Sequence, residues 1–208
     1  MIDDLIAKLE KRLKEPLPGV QAHEKMKPIL PSGARLKGDP SKARLGAVML
    51  LLYQDKGEWY FPLIQRPLYE GVHSGQVAFP GGRKEESDVD LFETALRESN
   101  EEIGVQAQKV EVIGTLSKFF VAVSNYMVLP VVSFHEGKPQ FVPDAREVDH
   151  VIEAPLSQLM NIDLLKEKEI LAASGYRLRS PYFEIEQKTV WGATAMMLSE
   201  FVDIVKEL

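Results

Sequence analysis

Apolar residues recur along this chain with two different periods, and the switches between them mark the elements. Ile2 to Leu13 places apolar residues at helical spacing and predicts an amphipathic helix. Pro16 to Pro40 is punctuated by Pro and Gly and reads as a loop wrapped on the domain. Arg44 to Tyr53 and Trp59 to Gln65, separated by Gln54-Asp55-Lys56-Gly57-Glu58, predict a hairpin, and Gly75 to Phe79 a short strand that delivers Gly81 and Gly82. A helix then runs to Ile103. Strands follow near Val110 to Ser117 and Tyr126 to Ser133, a loop from His135 to Asp144, and a strand at about Glu147 to Glu153. Pro155 to Met160 begins a short helix, Tyr182 to Ile185 and Thr189 to Trp191 read as strands, and Ala193 to Lys206 closes as a helix. Strands interleaved with a few helices imply an α/β fold layered around a mixed sheet. Residues 1–42 form a helix-and-loop extension and 43–208 the main domain.

The helix ending at Ile103 carries the chemistry. Phe92, Ala95, Leu96, Ser99 and Ile103 form its packing stripe, with Glu102 at the stripe's edge. Asp88 or Asp90 can cap its start, Asp90 with Glu93 resembling a capping box, and Gly104 suits the left-handed position that stops it. Glu98, Glu101 and Glu102 stand at i, i+3 and i+4, within roughly a 100° arc. Three carboxylates near a helix C-terminus oppose the macrodipole at about 0.3–1 kcal/mol each and repel one another. A solvated acidic face is the plain explanation of three glutamates. A divalent cation would reverse the sign of the cost, because hard oxygen donors are what Mg²⁺ or Mn²⁺ accept. Arg97 lies one turn from Glu101 and can steady it.

Composition narrows the classes. The 208 residues are 45% apolar and 27% charged, which suits a globular chain, and no apolar run approaches the length of a membrane span. Cysteine is absent, which excludes disulfides and thiolate chemistry. The start, Met1-Ile2-Asp3-Asp4, lacks the order of a secretory signal, so a cytoplasmic location is expected. A formal charge of −6 gives no broad attraction to nucleic acid, so an anionic substrate must meet a local cation.

Gly82, Arg97, Glu98, Glu101, Glu102, Gly104 and Val105 match the Nudix box, G-x5-E-x7-R-E-U-x-E-E-x-G-U with U apolar, and the chain resembles that hydrolase family. Ser99 stands where a bulkier apolar residue is usual. Asp88 takes the upstream Glu position, and the stretch from it to Arg97 is one residue longer than the general pattern, as in the coenzyme A pyrophosphatase branch. Arg66-Pro67 and Gly75-Gln76-Val77-Ala78-Phe79-Pro80-Gly81-Gly82 resemble that branch's signature, in which an L-L-T-x-R-S run and a second Arg precede G-x3-F-P-G-G, with Ile64, Pro67 and Gly71 departing from it. Thr94 to Glu98 and Val190 to Ala195 are also similar to it.

The resemblance implies a Nudix-type α/β/α sandwich and a pyrophosphohydrolase using Mg²⁺ or Mn²⁺. It assigns Glu98, Glu101, Glu102 and the Gly82 carbonyl as metal ligands, Glu98 also as candidate base, Arg97 as their positioner and Glu147 as an extra ligand or base. Arg66, His73 and Gln76 are candidate substrate contacts, Ser74 a weaker one, each weighed against an ordinary turn or surface role. Phe119, Phe120 and Tyr126 could stack on a base, although strand aromatics usually pack; Trp191 reads as packing. Arg35, Lys37, Lys42 and Arg44 could meet a 3′-phosphate or be solvated surface. The expected partner is a nucleotide-type small molecule, with neither nucleic acid nor membrane, and a homodimer is one option for assembly. The leading substrate is coenzyme A or an acyl derivative. The alternatives are another nucleoside diphosphate such as ADP-ribose or a dinucleotide, a non-catalytic nucleotide sensor, and a purely structural acidic helix.

Overall fold

An apolar run as dense as Ala47 to Tyr53 can be buried only by covering both faces of its strand. The computed structural model describes residues 2–33, 38–71, 73–161, 166–172 and 177–208, and it puts that run mid-sheet as β1, Arg44–Asp55. Ala47, Met49 and Leu51 face one core with Ala95, Ile103 and Val131; Leu50 and Leu52 face the other with Leu9, Phe61, Phe183 and Phe201. β2, Glu58–Gln65, returns antiparallel through Lys56-Gly57, whose φ values of 51° and 85° suit a two-residue hairpin turn. β3, Val77–Ala78, pairs with β2, and β4, Gly81–Arg83, pairs with the start of β1.

After α3, Leu91–Ile103, come β5, Val110–Thr115, β6, Phe119–Val121, and β7, Tyr126–His135. β7 runs parallel to β1 and carries β5 and β6 antiparallel, while β8, His150–Pro155, closes on β2. The sheet is therefore mixed, as expected. α3 covers one face. α1, Ile2–Arg12, and α5, Gly192–Val205, contribute Leu9 and Phe201 to the core on the other, with Leu156 and Leu159 of α4, Leu156–Asn161. β9, Glu167–Leu171, β10, Arg177–Ile185, and β11, Lys188–Trp191, form a second, antiparallel sheet.

Several elements differ from the sequence expectation. The segment read as loop holds α2, Val20–Glu24, because Ala22, His23 and Met26 are buried. The strand expected from Glu147 begins at His150 instead, since the Glu147 and Val148 amides both donate to the Asp144 carbonyl and form a turn. β6 and β9 have no counterpart in the expected pattern.

α2 is tied to α5 through a buried carboxylate. Glu200, fully buried, accepts from Ser117 Oγ at 2.6 Å and from the Gly19 amide at 3.1 Å, and lies 2.8 Å from His23 Nε2. These bonds hold its pKa below the ordinary glutamate value despite burial. Glu200→Gln keeps the volume but mismatches donors and acceptors around it. It is expected to cost about 2 kcal/mol, the scale of a lost charge-assisted hydrogen bond, read as a lower denaturant midpoint.

Candidate active site

The site forms where β4 meets α3. Asp90 caps the helix by accepting from the Phe92 and Glu93 amides, both at 2.9 Å, and Glu93 accepts from the Val89 amide at 2.6 Å. Gly104 stops it at φ 72°, with Asn100 and Ser99 carbonyls taking the Gly104 and Val105 amides. Of the expected stripe, Ala95, Ser99 and Ile103 are buried, whereas Phe92 is exposed. Ser99 Oγ is buried without a hydrogen-bond partner. β4 has to be glycine-rich: a Cβ on Gly81 would stand 2.3 Å from the Ala47 carbonyl oxygen, and one on Gly82 2.6 Å from Glu98 Cδ and both its oxygens.

Asp88 is not the cap but the anchor of Arg97. Arg97 Nε and Nη2 donate to Asp88 Oδ1 and Oδ2 at 2.9 and 3.0 Å, a bidentate pair. Nη2 also donates to the Arg83 carbonyl at 2.9 Å, while Nη1 lies 3.0 Å from Glu98 Oε1 and 2.8 Å from Glu101 Oε2. Asp88 is 4% exposed and accepts further from the Glu85 amide and Thr94 Oγ1, both at 2.9 Å. Arg97 foremost holds the Asp88 carboxyl well below the usual carboxylate range, and Asp88 in turn raises the Arg97 pKa.

Glu102 is 1% exposed, and its Oε2 accepts from the Gly81 amide at 2.7 Å. Burial pushes its pKa up to about 7, with Glu98 and Glu147 adding to the rise and Arg66 and the Gly81 amide opposing it. Burial also raises Glu98, against the pull of Arg97 and with the push of Glu101 and Glu147. Glu147 thus faces the same charge cluster from an exposed turn. Arg66 points inward: Nη2 lies 3.5 Å from Glu102 Oε1 and donates to the Gly81 carbonyl at 3.4 Å.

Among the described residues no three His, Cys, Asp or Glu side chains converge as a closed metal cage. The donor set nonetheless has the right chemistry for a hard cation. Glu147 repels both Glu98 and Glu102, and Glu98 repels Glu102, a cost that a divalent ion would remove. Such an ion would compete with Arg97 for Glu98 and Glu101.

The remaining candidates lie around this centre. His73 Nδ1 and Gln76 Oε1 are 3.1 Å apart in the turn that follows Arg66, and burial first, then Arg66, lowers the His73 pKa. Ser74 Oγ accepts from the Tyr69 amide. Phe119 packs edge-on to His23 at 5.0 Å, and Trp191 pairs with Tyr182 in the second sheet. Tyr126 stacks under Arg44, whose Cζ lies 4.3 Å from the ring centroid. Arg35 and Lys37 fall outside the described residues. Sequence reasoning left Thr94 without a role; its offset of six from Asp88 puts the two side chains together once Asp90 starts the helix.

A family profile described as the NUDIX domain matches residues 43–184. Nudix hydrolase 15, mitochondrial, from Arabidopsis thaliana is 32% identical over 185 residues, 84% of this chain and 64% of that protein, so this chain spans just under two thirds of its length. The uncharacterized Nudix hydrolase NudL of Escherichia coli is 34% identical over 139 residues, 66% of this chain and 71% of that one. Among solved structures, the Nudix hydrolase RenU of M. smegmatis superposes with a TM-score of 0.57 at 17% identity, covering 87% of this chain and 94% of its own. A MutT/nudix family protein from Enterococcus faecalis gives 0.51 at 18% identity, covering 79% and 63%.

Proposed function

We propose that this chain, which belongs to the Nudix hydrolase family, cleaves the diphosphate of coenzyme A or acyl-coenzyme A in a divalent-metal-dependent reaction. The products would be adenosine 3′,5′-bisphosphate and (acyl-)4′-phosphopantetheine. The family consists of pyrophosphohydrolases that generally use divalent metal ions. What carries the reaction type is the Arg97 clamp: one guanidinium holds Asp88, Glu98 and Glu101 while Glu102 sits on the Gly81 amide beside them.

Glu98, Glu101 and Glu102 would hold Mg²⁺ or Mn²⁺, whereas the Gly82 carbonyl oxygen, expected as a further ligand, is turned to β1, 2.5 Å from where a Cβ on Gly46 would stand. The bound ion would supply charge screening of the diphosphate and a lowered pKa for the attacking water. Arg97 would fix Glu98 and Glu101, and Glu98 would take the proton of the water, with Glu147 a further candidate. Arg66 neutralises part of the Glu102 charge on the side where a phosphate oxygen would arrive. His73 and Gln76 extend that side.

The coenzyme A assignment rests on the segment from Arg66 to Gly82 and on Asp88 in the box. A second reading, another nucleoside diphosphate derivative, is favoured by Gly71. A Cβ there would stand 2.3 Å from Tyr69 Cε2, so the Tyr69 ring takes the space that the signature's second arginine needs. Among the described residues no helix is long and apolar enough to cross a membrane.

Purified protein offered coenzyme A, ADP-ribose and NADH with Mg²⁺ or Mn²⁺ is expected to turn over coenzyme A fastest, and EDTA to stop it. Turnover of another compound alone would remove the substrate assignment and leave the reaction. No turnover of any would favour a nucleotide sensor.

A further inference from the structure

The site described above lies on the α3 face of β4, yet β4 also shapes the opposite face. Gly82 opens toward Glu98, and because strand residues alternate, the next residue, Arg83, faces the other way. In register with Arg83 on β1 is Gly46, and two residues back on that face is Arg44, paired with Tyr126 of β7. Gly46 is glycine for a packing reason, since a Cβ would stand 2.5 Å from the Gly82 carbonyl oxygen. Gly46 is itself buried, with the Tyr126 ring 3.4 Å from that same point, and Arg44 and Arg83 stand exposed beside it.

Both arginines are electrostatically uncommitted. In a chain with 31 acidic and 25 basic residues, neither guanidinium pairs with a carboxylate among the described residues. Arg44 is held by stacking on Tyr126 at 4.3 Å and by one bond from Nη2 to the Ser124 carbonyl at 3.1 Å, which leaves its other donors available. Arg97, by contrast, spends its donors on Asp88, the Arg83 carbonyl and two glutamates. A guanidinium pre-oriented over a ring with free donors is suited to a phosphate monoester.

The geometry points to Arg44 and Arg83, flanking Gly46 beside Tyr126, as the subsite for a phosphate monoester carried by the nucleoside end of the substrate. This deepens the coenzyme A reading and rests on it. The diphosphate would lie at Glu98, and the nucleoside would pass the end of the sheet at Gly82 to put its 3′-phosphate between the two arginines. Replacing the Arg83 side chain leaves intact its carbonyl, which is what Arg97 uses.

The test compares coenzyme A with 3′-dephospho-coenzyme A in the wild type, Arg44→Ala and Arg83→Ala. In each variant the ratio of kcat/KM for the two substrates is expected to fall roughly tenfold or more, the scale of one lost charge-assisted hydrogen bond. An unaltered ratio overturns the subsite. Should the wild type cleave neither substrate, the function reading fails separately, and calorimetry with adenosine 3′,5′-bisphosphate and adenosine 5′-monophosphate decides. Preference for the bisphosphate that both variants erase supports the subsite. Equal binding of the two nucleotides sinks it.

Discussion

Glu98→Gln is expected to lower kcat by roughly a thousandfold, the combined scale of losing a proton acceptor and a cation ligand. Thermal stability should hold or rise. The glutamine keeps the shape that packs against Gly82, where the carboxylate leaves no room even for a Cβ. It also abolishes a charge that burial disfavours and that Glu101 and Glu147 repel. What it gives up structurally is one of several Arg97 contacts, with Asp88 and the Arg83 carbonyl still holding that guanidinium. An acidic face with only a structural role predicts the same stability gain with no loss of rate. Saturating-Mg²⁺ kinetics beside a melting curve therefore separates the two, and a kcat within a few-fold of wild type would end the catalytic assignment of Glu98.

The parts of this molecule legible from sequence are those whose stability is local. α3 announces itself by Asp90, the apolar stripe and Gly104, and β1 and β7 by apolar runs long enough to need cover on both faces. β9 gives no such signal: four of its five residues are exposed, and it exists through pairing with β10. α2 is only five residues long, below what local propensity supports, and survives because Ala22 and His23 dock on α5.

The same division runs through the site. Arg97 and Glu101, one helical turn apart, are readable from spacing alone. Arg66 meeting Glu102 is not, because β2 and α3 are brought together only by the sheet between them. The depth of Glu102 was half visible, as a residue at the edge of the packing stripe; its full burial follows from β4 closing over it with the Gly81 amide. Asp88 was visible as a position in a motif and as a possible cap. Its work as the Arg97 anchor depends on the turn from Glu85 to Asp88, whose backbone bond folds the carboxylate back over the helix.

That anchor makes Asp88→Asn the substitution with the largest expected effect on stability. Breaking a buried, hydrogen-bonded ion pair while leaving its partner in place costs about 3–5 kcal/mol, which for a chain of this size lowers the melting temperature by roughly 10 °C. The pH dependence identifies the cause. The native Asp88 carboxyl lies well below its unfolded value of about 3.9, so its contribution is fully present above that pH and is lost as pH falls toward the native value. The gap between wild type and Asp88→Asn should therefore be widest near neutrality and narrow below about pH 4, as the unfolded wild-type chain takes up a proton that the variant cannot. Denaturant midpoints at pH 7 and at about pH 3 measure it. A gap of the same size at both would mean that shape at this position matters and charge does not. Activity should fall with stability at neutral pH, since a loosened Arg97 no longer sets Glu98 and Glu101. Because the substituted amide could still accept from the Glu85 amide and the Thr94 hydroxyl, the helix entry should survive, and the loss should appear as disorder at Arg97 instead of unwinding at Asp90.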